Sequence, residues 1–411
     1  MGLTRRSFGV GLGAGLLSAC SGGLPAGPVA TPGMRPVANA GYDAWVAGFR
    51  GRAAARGIAP EVVARAFRGA GYLPGVVERD RNQTEFTRTL EDYLAIAASD
   101  ERVGTGREMY RRHGALLSRI EARYGVESRV VCAIWGLESR YGARRGDVPV
   151  ISALSTLAYD GRRGSFFESQ LIAALKILQN GDIPPAQMTG SWAGAMGHTQ
   201  FIPTSYLAYA VDFDGDGRRD IWSADPGDAL ASAAAYLSRS GWRHGQPWGL
   251  EVALPSGFAA GLTGRGQARS VAAWQALGVR PAAGGRLPDH GTAAVLAPAG
   301  TAAPAFLVFQ NFWVILRYNN SEKYGLGIGH LSDRIAGGGP IVGRFPPDAN
   351  GLTLADRKEI QSRLMRRGYD TGGADGVIGS KTEAAIGAYQ RRAGVTVTGK
   401  PSVALLRQLR G

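Results

Sequence analysis

The sequence has few cysteines, few histidines and no long apolar run. Cys20 and Cys132 are the only cysteines among 411 residues, which excludes a disulfide framework and a zinc site built from thiolates. A metal ion therefore has to be bound by oxygen or by one of five histidines. No stretch reaches the roughly 18 apolar residues that a spanning helix needs, so the sequence predicts no transmembrane helix.

Acidic residues are also scarce relative to basic ones. Lys and Arg number 47 against 33 Asp and Glu, which gives a formal net charge of +14. Such a charge favours an acidic partner: nucleic acid, anionic lipid or a carboxylate-rich cell wall. The length predicts two or three domains, and a hydrophobic content of 45% excludes a wholly disordered chain.

The first twenty residues have the features of an export signal. Arg5 and Arg6 precede a short, glycine-rich and weakly apolar stretch, and small residues lead to Cys20. Residues 4–8 resemble a twin-arginine signal, and residues 17–20 resemble a lipoprotein cleavage box. We therefore expect residues 1–20 to be a signal peptide with a lipobox, and Cys20 to be lipidated. Residues 21–40 hold four prolines and four glycines, a composition typical of a tether.

The rest of the chain divides into regions that differ in the spacing of apolar residues and in glycine and proline content. Residues 41–335 form the predicted main region. Its apolar residues have helical spacing from 42 to about 124 and again at 126–140, 166–179 and 228–240. Residues 254–316 hold short β-like runs at 293–296 and 305–309, which predict a small mixed α/β subdomain. Residues 336–351 are rich in glycine and proline and predict a linker. The last segment, 352–411, predicts three short helices, so the predicted fold is mainly α.

Glu138 is the candidate catalytic residue. On a helix it lies on the same face as Val131, Ile134 and Trp135. Gly142 and the arginines that follow it predict that Glu138 is in the last turn, where the helix dipole opposes ionisation. We expect both effects to raise its pKa, as a general acid requires.

A second candidate site is an acidic loop. Acids at relative positions 1, 3, 5 and 9 and a glycine at position 6 follow the EF-hand spacing, in which hard oxygen ligands surround one calcium ion. The acids are Asp212, Asp214, Asp216 and Asp220, with the carbonyl of Arg218 at position 7. Position 12 is Ser223 where the EF-hand has a bidentate Glu.

Several long motifs, in order, resemble the B-type (family 3) membrane-bound lytic murein transglycosylases over residues 42–335. They are ESRYG at 138–142, SALSTLAYDGRR at 152–163, SWAGAMGHTQFIPTSY at 191–206 and RYN at 317–319. The resemblance implies a lysozyme-like α domain that cleaves the MurNAc to GlcNAc β-1,4 bond of peptidoglycan without water. It also implies that Asp228 completes the calcium site, displaced here by two residues. We expect a structural Ca²⁺ and no catalytic cofactor.

By the same resemblance, Glu138 is the sole catalytic acid and base. It would protonate the glycosidic oxygen and then accept the proton of the MurNAc C6 hydroxyl, giving a 1,6-anhydro sugar. An ordinary glycosidase needs two carboxylates, whereas here the nucleophile is part of the substrate. The substrate residues implied by the family are Ser191, Gln200, Tyr236, Tyr318, Asn319, Arg162 and Arg163. His198 departs from the family, which tends to have Gln or Tyr there.

Residues 352–411 resemble the peptidoglycan-binding module of many wall enzymes. The strings LMRRGY at 364–369 and DGVIGSKTE at 375–383 carry the resemblance. The segment has 11 basic and 5 acidic residues, a charge that a DNA-binding fold also shows, but an export signal argues against DNA.

We therefore expect an exported monomer that lies in the periplasm, is anchored to the outer membrane as a lipoprotein and binds glycan strands. One alternative is a non-catalytic wall-binding lipoprotein. Another is a hydrolytic muramidase with Asp147, Asp160 or Glu168 as its second carboxylate.

Overall fold

A computed structural model describes residues 33–82 and 88–411. The predicted signal peptide, Cys20 and most of the predicted tether lie outside the described residues. Among the described residues, no helix is both long and apolar enough to cross a membrane. The chain forms two compact units, one of residues 33–82 and 104–244 and the other of residues 88–103 and 245–411.

The described residues are mainly helical, as predicted. In chain order the helices are α1 (Ala40–Ala54), α2 (Pro60–Phe67), α3 (Pro74–Arg81), α4 (Leu90–Ala97), α5 (Asp100–Arg112), α6 (Gly114–Tyr124), α7 (Ser128–Ser139), α8 (Val150–Asp160), α9 (Gly164–Asn180), α10 (Pro203–Tyr209), α11 (Gly227–Arg239), α12 (Val271–Ala276), α13 (Gln310–Tyr318), α14 (Glu322–Ile335), α15 (Leu354–Arg366), α16 (Ser380–Arg392) and α17 (Val403–Arg410). The strands are β1 (Val148–Pro149), β2 (Thr189–Gly190), β3 (Gly249–Ala253), β4 (Ala268–Ser270), β5 (Arg280–Pro281), β6 (Thr292–Leu296) and β7 (Ala305–Val308).

The first unit is built around helices that are apolar on nearly every side. Helix α8 is buried from Val150 to Ala158, and α7 is buried at every position except Arg129. A helix that is apolar all round belongs in a core. Helix α8 packs on α9, and α7 packs on α6 and α11. The carboxyl-terminal end of α7, where Glu138 lies, is therefore held by the core.

The predicted tether ends earlier than its composition suggests. The Val37 amide donates to the Tyr72 carbonyl at 3.0 Å, and the Gly75 amide donates to the Gly33 carbonyl at 2.9 Å. Residues 33–39 thus lie against the first unit, and the tether prediction is wrong for them. Proline and glycine restrict helices and strands but still allow an extended segment to pair its backbone.

The second unit contains the predicted mixed subdomain. Five antiparallel strands lie in the order β4-β6-β7-β3-β5, and the two runs predicted as β-like form β6 and β7. The sheet begins at Gly249, a few residues before the predicted boundary. Its core contains Trp274, Leu307 and Phe309.

The C-terminal segment forms the three predicted helices, which are α15, α16 and α17. Leu352, Ile360, Leu364, Ile386 and Leu406 pack together in their shared core. Thr353 and Asp356 form a capping box that stabilises the start of α15.

The predicted linker at 336–351 has fixed contacts within the second unit. The Glu251 carboxylate accepts the amides of Val342 and Gly343 at 2.8 and 2.7 Å. Asp348 accepts the amide of Leu352 at 3.0 Å and also the guanidinium of Arg357 at 3.1 Å. The carboxylates of Glu251 and Asp348 thus accept backbone amides of a segment that forms no helix or strand.

Candidate active site

Glu138 lies in the last turn of α7 and is 8% exposed. Val131, Ile134 and Trp135 are buried with it, so the predicted apolar face is confirmed. The neighbours of α7 also bury its other faces, which the periodicity alone does not predict. A carboxyl group in such surroundings is costly to ionise unless it is bonded.

The turn that follows Glu138 has an unusual backbone. Arg140 and Tyr141 both have left-handed φ values, 51° and 55°, and Gly142 follows at 84°. Residues other than glycine rarely adopt this backbone conformation, which costs on the order of 1–2 kcal/mol per residue. Such strain persists only where surrounding contacts enforce it, and it concentrates at functional sites.

Two features hold the turn in place. The Tyr141 amide donates to the Trp135 carbonyl at 3.2 Å, and the Arg144 amide donates to the Ser139 carbonyl at 2.8 Å. The Tyr141 ring also lies on Gly136, where a Cβ atom would come within 2.4 Å of the ring. Tyr141 therefore folds back onto the helix that carries Glu138.

Ser139 joins this turn to the glycine-rich segment at 194–200. Its hydroxyl donates to the His198 carbonyl at 2.6 Å and accepts the Gly142 amide at 3.0 Å. No local sequence pattern indicates a role for Ser139, because its partner is 59 residues away along the chain.

The His198 ring is also bonded to α7. Its Nδ1 accepts the indole N–H of Trp135 at 3.0 Å, and its Nε2 lies 2.8 Å from the Ser223 carbonyl. An indole N–H only donates, so Nδ1 is unprotonated, Nε2 carries the single proton and the ring is neutral. The Arg145 guanidinium lies 3.0 Å from Nε2. Burial lowers the pKa of His198 despite the bond to Ser223, and the charge of Arg145 lowers it further.

Ser191 and Gln200 frame the same glycine-rich segment. The Ser191 hydroxyl accepts the amides of Ala193 and Ala195 at 3.3 and 3.0 Å, and the residue is 1% exposed. Gln200 has a left-handed φ of 53°, and its side-chain amide donates to the carbonyls of Arg145 and Gly197 at 3.0 and 2.8 Å. Both residues hold the segment, and their contact with sugar stays a prediction.

Arg162 and Arg163 have a protein partner, which the sequence did not reveal. Both guanidinium groups donate to the carboxylate of Asp80, and Arg162 also donates to the Asp80 carbonyl at 2.9 Å. Asp80 is 3% exposed. The arginines thus neutralise a buried acid, and the predicted contact with substrate carboxylates is untested.

The remaining predicted substrate residues lie in aromatic or turn environments. Tyr236 on α11 lies 4.3 Å from Tyr209 and 6.0 Å from Phe201, measured between ring centroids. In the second unit, Tyr318 ends α13 and stacks on Tyr324 with 6.5 Å between ring centroids. The Asn319 side chain accepts the Ser321 amide at 3.2 Å. A role for Tyr236, Tyr318 and Asn319 in the substrate groove stays a prediction.

The acidic loop brings three of its predicted ligands together. Asp212, Asp214 and Asp216 each offer a carboxylate oxygen, and these oxygens lie within 4.8 Å of one another. Asp212 accepts the amides of Gly215 and Gly217 at 2.7 and 2.8 Å, so the loop curls around its first acid.

Asp228 and Asp220 support this loop from outside the cluster. The two carboxylate oxygens of Asp228 accept the amides of Phe213 and Asp220, both at 2.8 Å. Asp220 accepts the Ser223 amide at 3.0 Å. Burial raises the pKa of Asp228 to about 6, and the charges of Asp214 and Asp212 add to the effect.

Comparison with known protein families covers most of the chain. Residues 41–333 match the model described as "Transglycosylase SLT domain". Residues 353–409 match the model described as "Putative peptidoglycan binding domain". The two matches fall on the regions that the sequence motifs singled out.

Three relatives are similar to this chain. Membrane-bound lytic murein transglycosylase B of Escherichia coli (strain K12) is 33% identical over 243 residues, which are 57% of this chain and 64% of that protein, slightly less than two thirds of its length. SltB3 from Pseudomonas aeruginosa, crystallised in complex with NAG-NAM-pentapeptide, is 50% identical with a TM-score of 0.73, over 90% of this chain and 100% of that one. The Escherichia coli lytic transglycosylase Slt35, solved in complex with calcium, is 27% identical with a TM-score of 0.62, over 74% of this chain and 96% of that one.

Proposed function

Because the chain belongs to the Transglycosylase SLT domain family and is similar to the lytic transglycosylases described above, we propose that it cleaves the MurNAc to GlcNAc β-1,4 bond of peptidoglycan. The membership confirms the resemblance found from the motifs. The cleavage would leave 1,6-anhydro-MurNAc ends.

Glu138 acts as the single acid and base in this proposal. It first protonates the glycosidic oxygen as the bond to C1 breaks. It then takes the proton from the C6 hydroxyl as that oxygen closes on C1, and so returns to its starting state. The observation that carries this assignment is the position of Glu138, buried on the apolar face at the end of a core helix.

A hydrolytic muramidase is a weaker explanation, because two of its candidate second carboxylates are already paired. Asp160 binds Arg81 at 2.7 Å, and Glu168 binds Arg52 at 2.9 Å. Arg52 occupies both carboxylate oxygens of Glu168 and Arg81 occupies one of Asp160, which leaves fewer oxygens to activate water or attack the sugar.

The acidic loop suits a structural calcium ion. Carboxylate oxygens are the ligands that calcium prefers, and the cluster of Asp212, Asp214 and Asp216 supplies three of them. The carbonyl of Arg218 and the carboxylates of Asp220 and Asp228 would complete the set. The ion would offset the mutual repulsion of the acids, and no catalytic step passes through it.

The N-terminal residues and the C-terminal module support a proposal about the location of the protein. We infer export to the periplasm, lipidation of Cys20 and anchoring to the outer membrane. The module at 352–411 would bind glycan strands while the site around Glu138 cuts them. Peptidoglycan is the expected partner, and the protein acts as a monomer.

The proposal is tested by digesting purified sacculi with the protein and two matched variants. Glu138→Gln removes the proton donor and should abolish release of muropeptides while binding to sacculi persists. Glu127→Gln makes the same change at the other end of α7, where the carboxylate is equally exposed at 8% and accepts the Trp242 indole at 2.6 Å; it should retain release. Binding without release by the unmodified protein would instead support the non-catalytic lipoprotein.

A further inference from the structure

We propose that His198 is a positioning residue for the lytic reaction: it fixes the end of the helix that carries Glu138. The inference rests on the proposed role of Glu138. His198 makes two separate bonds to α7, one through its ring to Trp135 and one through its carbonyl to Ser139. These two residues lie on either side of Glu138 in the chain.

The ring of His198 also fills the space above the left-handed turn. A Cβ atom at Gly142 would come within 2.5 Å of both Cε1 and Nδ1 of the ring. The side chain therefore packs directly on the backbone that follows Glu138. The ring lies 5.8 Å from Trp135 between centroids, so the same side chain supports the helix and the turn.

The opposite edge of the ring is held by a different part of the first unit. Nε2 donates to the Ser223 carbonyl at 2.8 Å, and Arg145 donates to the same carbonyl at 2.8 Å. The Arg145 guanidinium also lies 3.0 Å from Nε2, a close contact and not a second hydrogen bond, because a protonated nitrogen cannot accept. The ring thus has an acceptor toward α7 and a donor toward Ser223, and only one neutral tautomer satisfies both. This arrangement fixes the orientation of the ring.

Precise placement of Glu138 is more demanding here than in a two-carboxylate enzyme. One carboxyl group has to reach the glycosidic oxygen and then the C6 hydroxyl, so a displacement affects both proton transfers. A misplacement of about 1 Å can reduce the rate about 100-fold. The strained turn beside Glu138 is where such a displacement begins if its support is removed.

Three variants test the inference. His198→Gln keeps one acceptor and one donor, whereas His198→Phe fills the space without either. Trp135→Phe removes the indole N–H that donates to the His198 ring. On soluble glycan oligomers we expect His198→Phe and Trp135→Phe to lower kcat about 10- to 100-fold with KM within about threefold. His198→Gln should stay within about threefold of the unmodified protein. The double variant should be no slower than the slower single one, because both remove the same bond.

Several outcomes would overturn the inference. One is a kcat for His198→Phe within threefold of the unmodified value, and another is an equal loss in His198→Gln and His198→Phe. If His198→Phe does not fold, an unchanged kcat in Trp135→Phe also overturns the inference. The unmodified protein and Glu138→Gln are assayed alongside: no anhydro product from the unmodified protein refutes the proposed function itself, whereas normal product with insensitive variants refutes only the role of His198.

Discussion

Asp80 is the residue whose importance is least visible in the sequence. Its buried carboxylate accepts hydrogen bonds from Arg162 and Arg163, which are 82 and 83 residues away along the chain. Burial alone would raise the pKa of Asp80, but the bonds and charges of the two arginines lower it below its ordinary value. The ionised form therefore stabilises the folded state.

We predict that Asp80→Asn lowers the free energy of unfolding by about 2 kcal/mol near neutral pH, the scale of a lost bond to a charged group. A depressed pKa stabilises the fold above the unfolded pKa of about 3.9, and the gain is lost as pH falls through the folded pKa. The difference between the two proteins should thus be constant above about pH 5 and shrink below about pH 4. Urea unfolding at each pH measures it.

The matched control is Glu108→Gln, at an exposed pair with Arg112 on α5. An exposed pair contributes less than about 1 kcal/mol, so this variant should differ little from the unmodified protein. A pH-independent effect of Asp80→Asn, or an equal effect of Glu108→Gln, would contradict the assignment.

At this scale the sequence predicts Glu138 but not its support. The spacing of Val131, Ile134 and Trp135 is local and predicts a buried helix face, which the structure confirms. The bond from Trp135 to His198 spans 63 residues. No local pattern encodes such a contact, so the sequence alone indicates no role for His198.

At the scale of elements, the turn between α7 and β1 is the feature that periodicity cannot predict. Glycine at position 142 correctly indicates the helix end, but Arg140 and Tyr141 share the left-handed conformation, which their side chains disfavour. The conformation depends on the packing of Tyr141 on Gly136 and of His198 on Gly142.

Replacing Gly142 by alanine tests this packing. The new Cβ would approach the His198 ring to 2.5 Å, so we expect kcat to fall more than about 10-fold in line with misplacement of the acid. Gly181→Ala is the control, since its φ of 82° at the end of α9 is similar and no atom lies within 4 Å. Gly181→Ala should lose about 1 kcal/mol of stability from its left-handed backbone alone, and Gly142→Ala should lose more because its Cβ also clashes with the His198 ring. Equal catalytic loss in the two would show that backbone strain alone matters.

The acidic loop makes a separate prediction about calcium. Because the ion would bind only the folded loop, millimolar Ca²⁺ should raise Tm by several degrees, as about 2.7 kcal/mol at 100-fold excess over Kd implies. Asp214→Asn should remove most of this increase. Asp289→Asn is the control, because the Asp289 carboxylate likewise accepts a backbone amide in an exposed turn. This variant should keep the full increase in Tm. A calcium shift that persists in Asp214→Asn would place the ion elsewhere.

At the scale of the whole molecule, Arg357 connects the C-terminal module to other parts of the second unit. It is 4% exposed and donates to Glu91, Asp92 and Asp348 at 2.9, 2.8 and 3.1 Å. The composition of residues 336–351 predicts a linker, and it could not reveal this interaction because the acids on α4 lie more than 260 residues away.

We predict that Arg357→Met leaves three acids without their shared cation and destabilises the second unit by about 3–5 kcal/mol. Limited proteolysis should then cut within residues 336–351 at protease concentrations that leave the unmodified protein intact. Arg366→Met, on the exposed side of the same helix, is the control and should resist cleavage. Equal resistance in both variants would mean that Arg357 does not hold the module.

The central claim is that one carboxyl group cleaves the glycan without water, and digestion of sacculi in water labelled with heavy oxygen tests it most directly. The mass of each new muramyl end reports whether solvent oxygen entered the product. We predict unlabelled 1,6-anhydro ends from the unmodified protein and no new ends from Glu138→Gln. Heavy oxygen at C1 of the new ends would contradict the account.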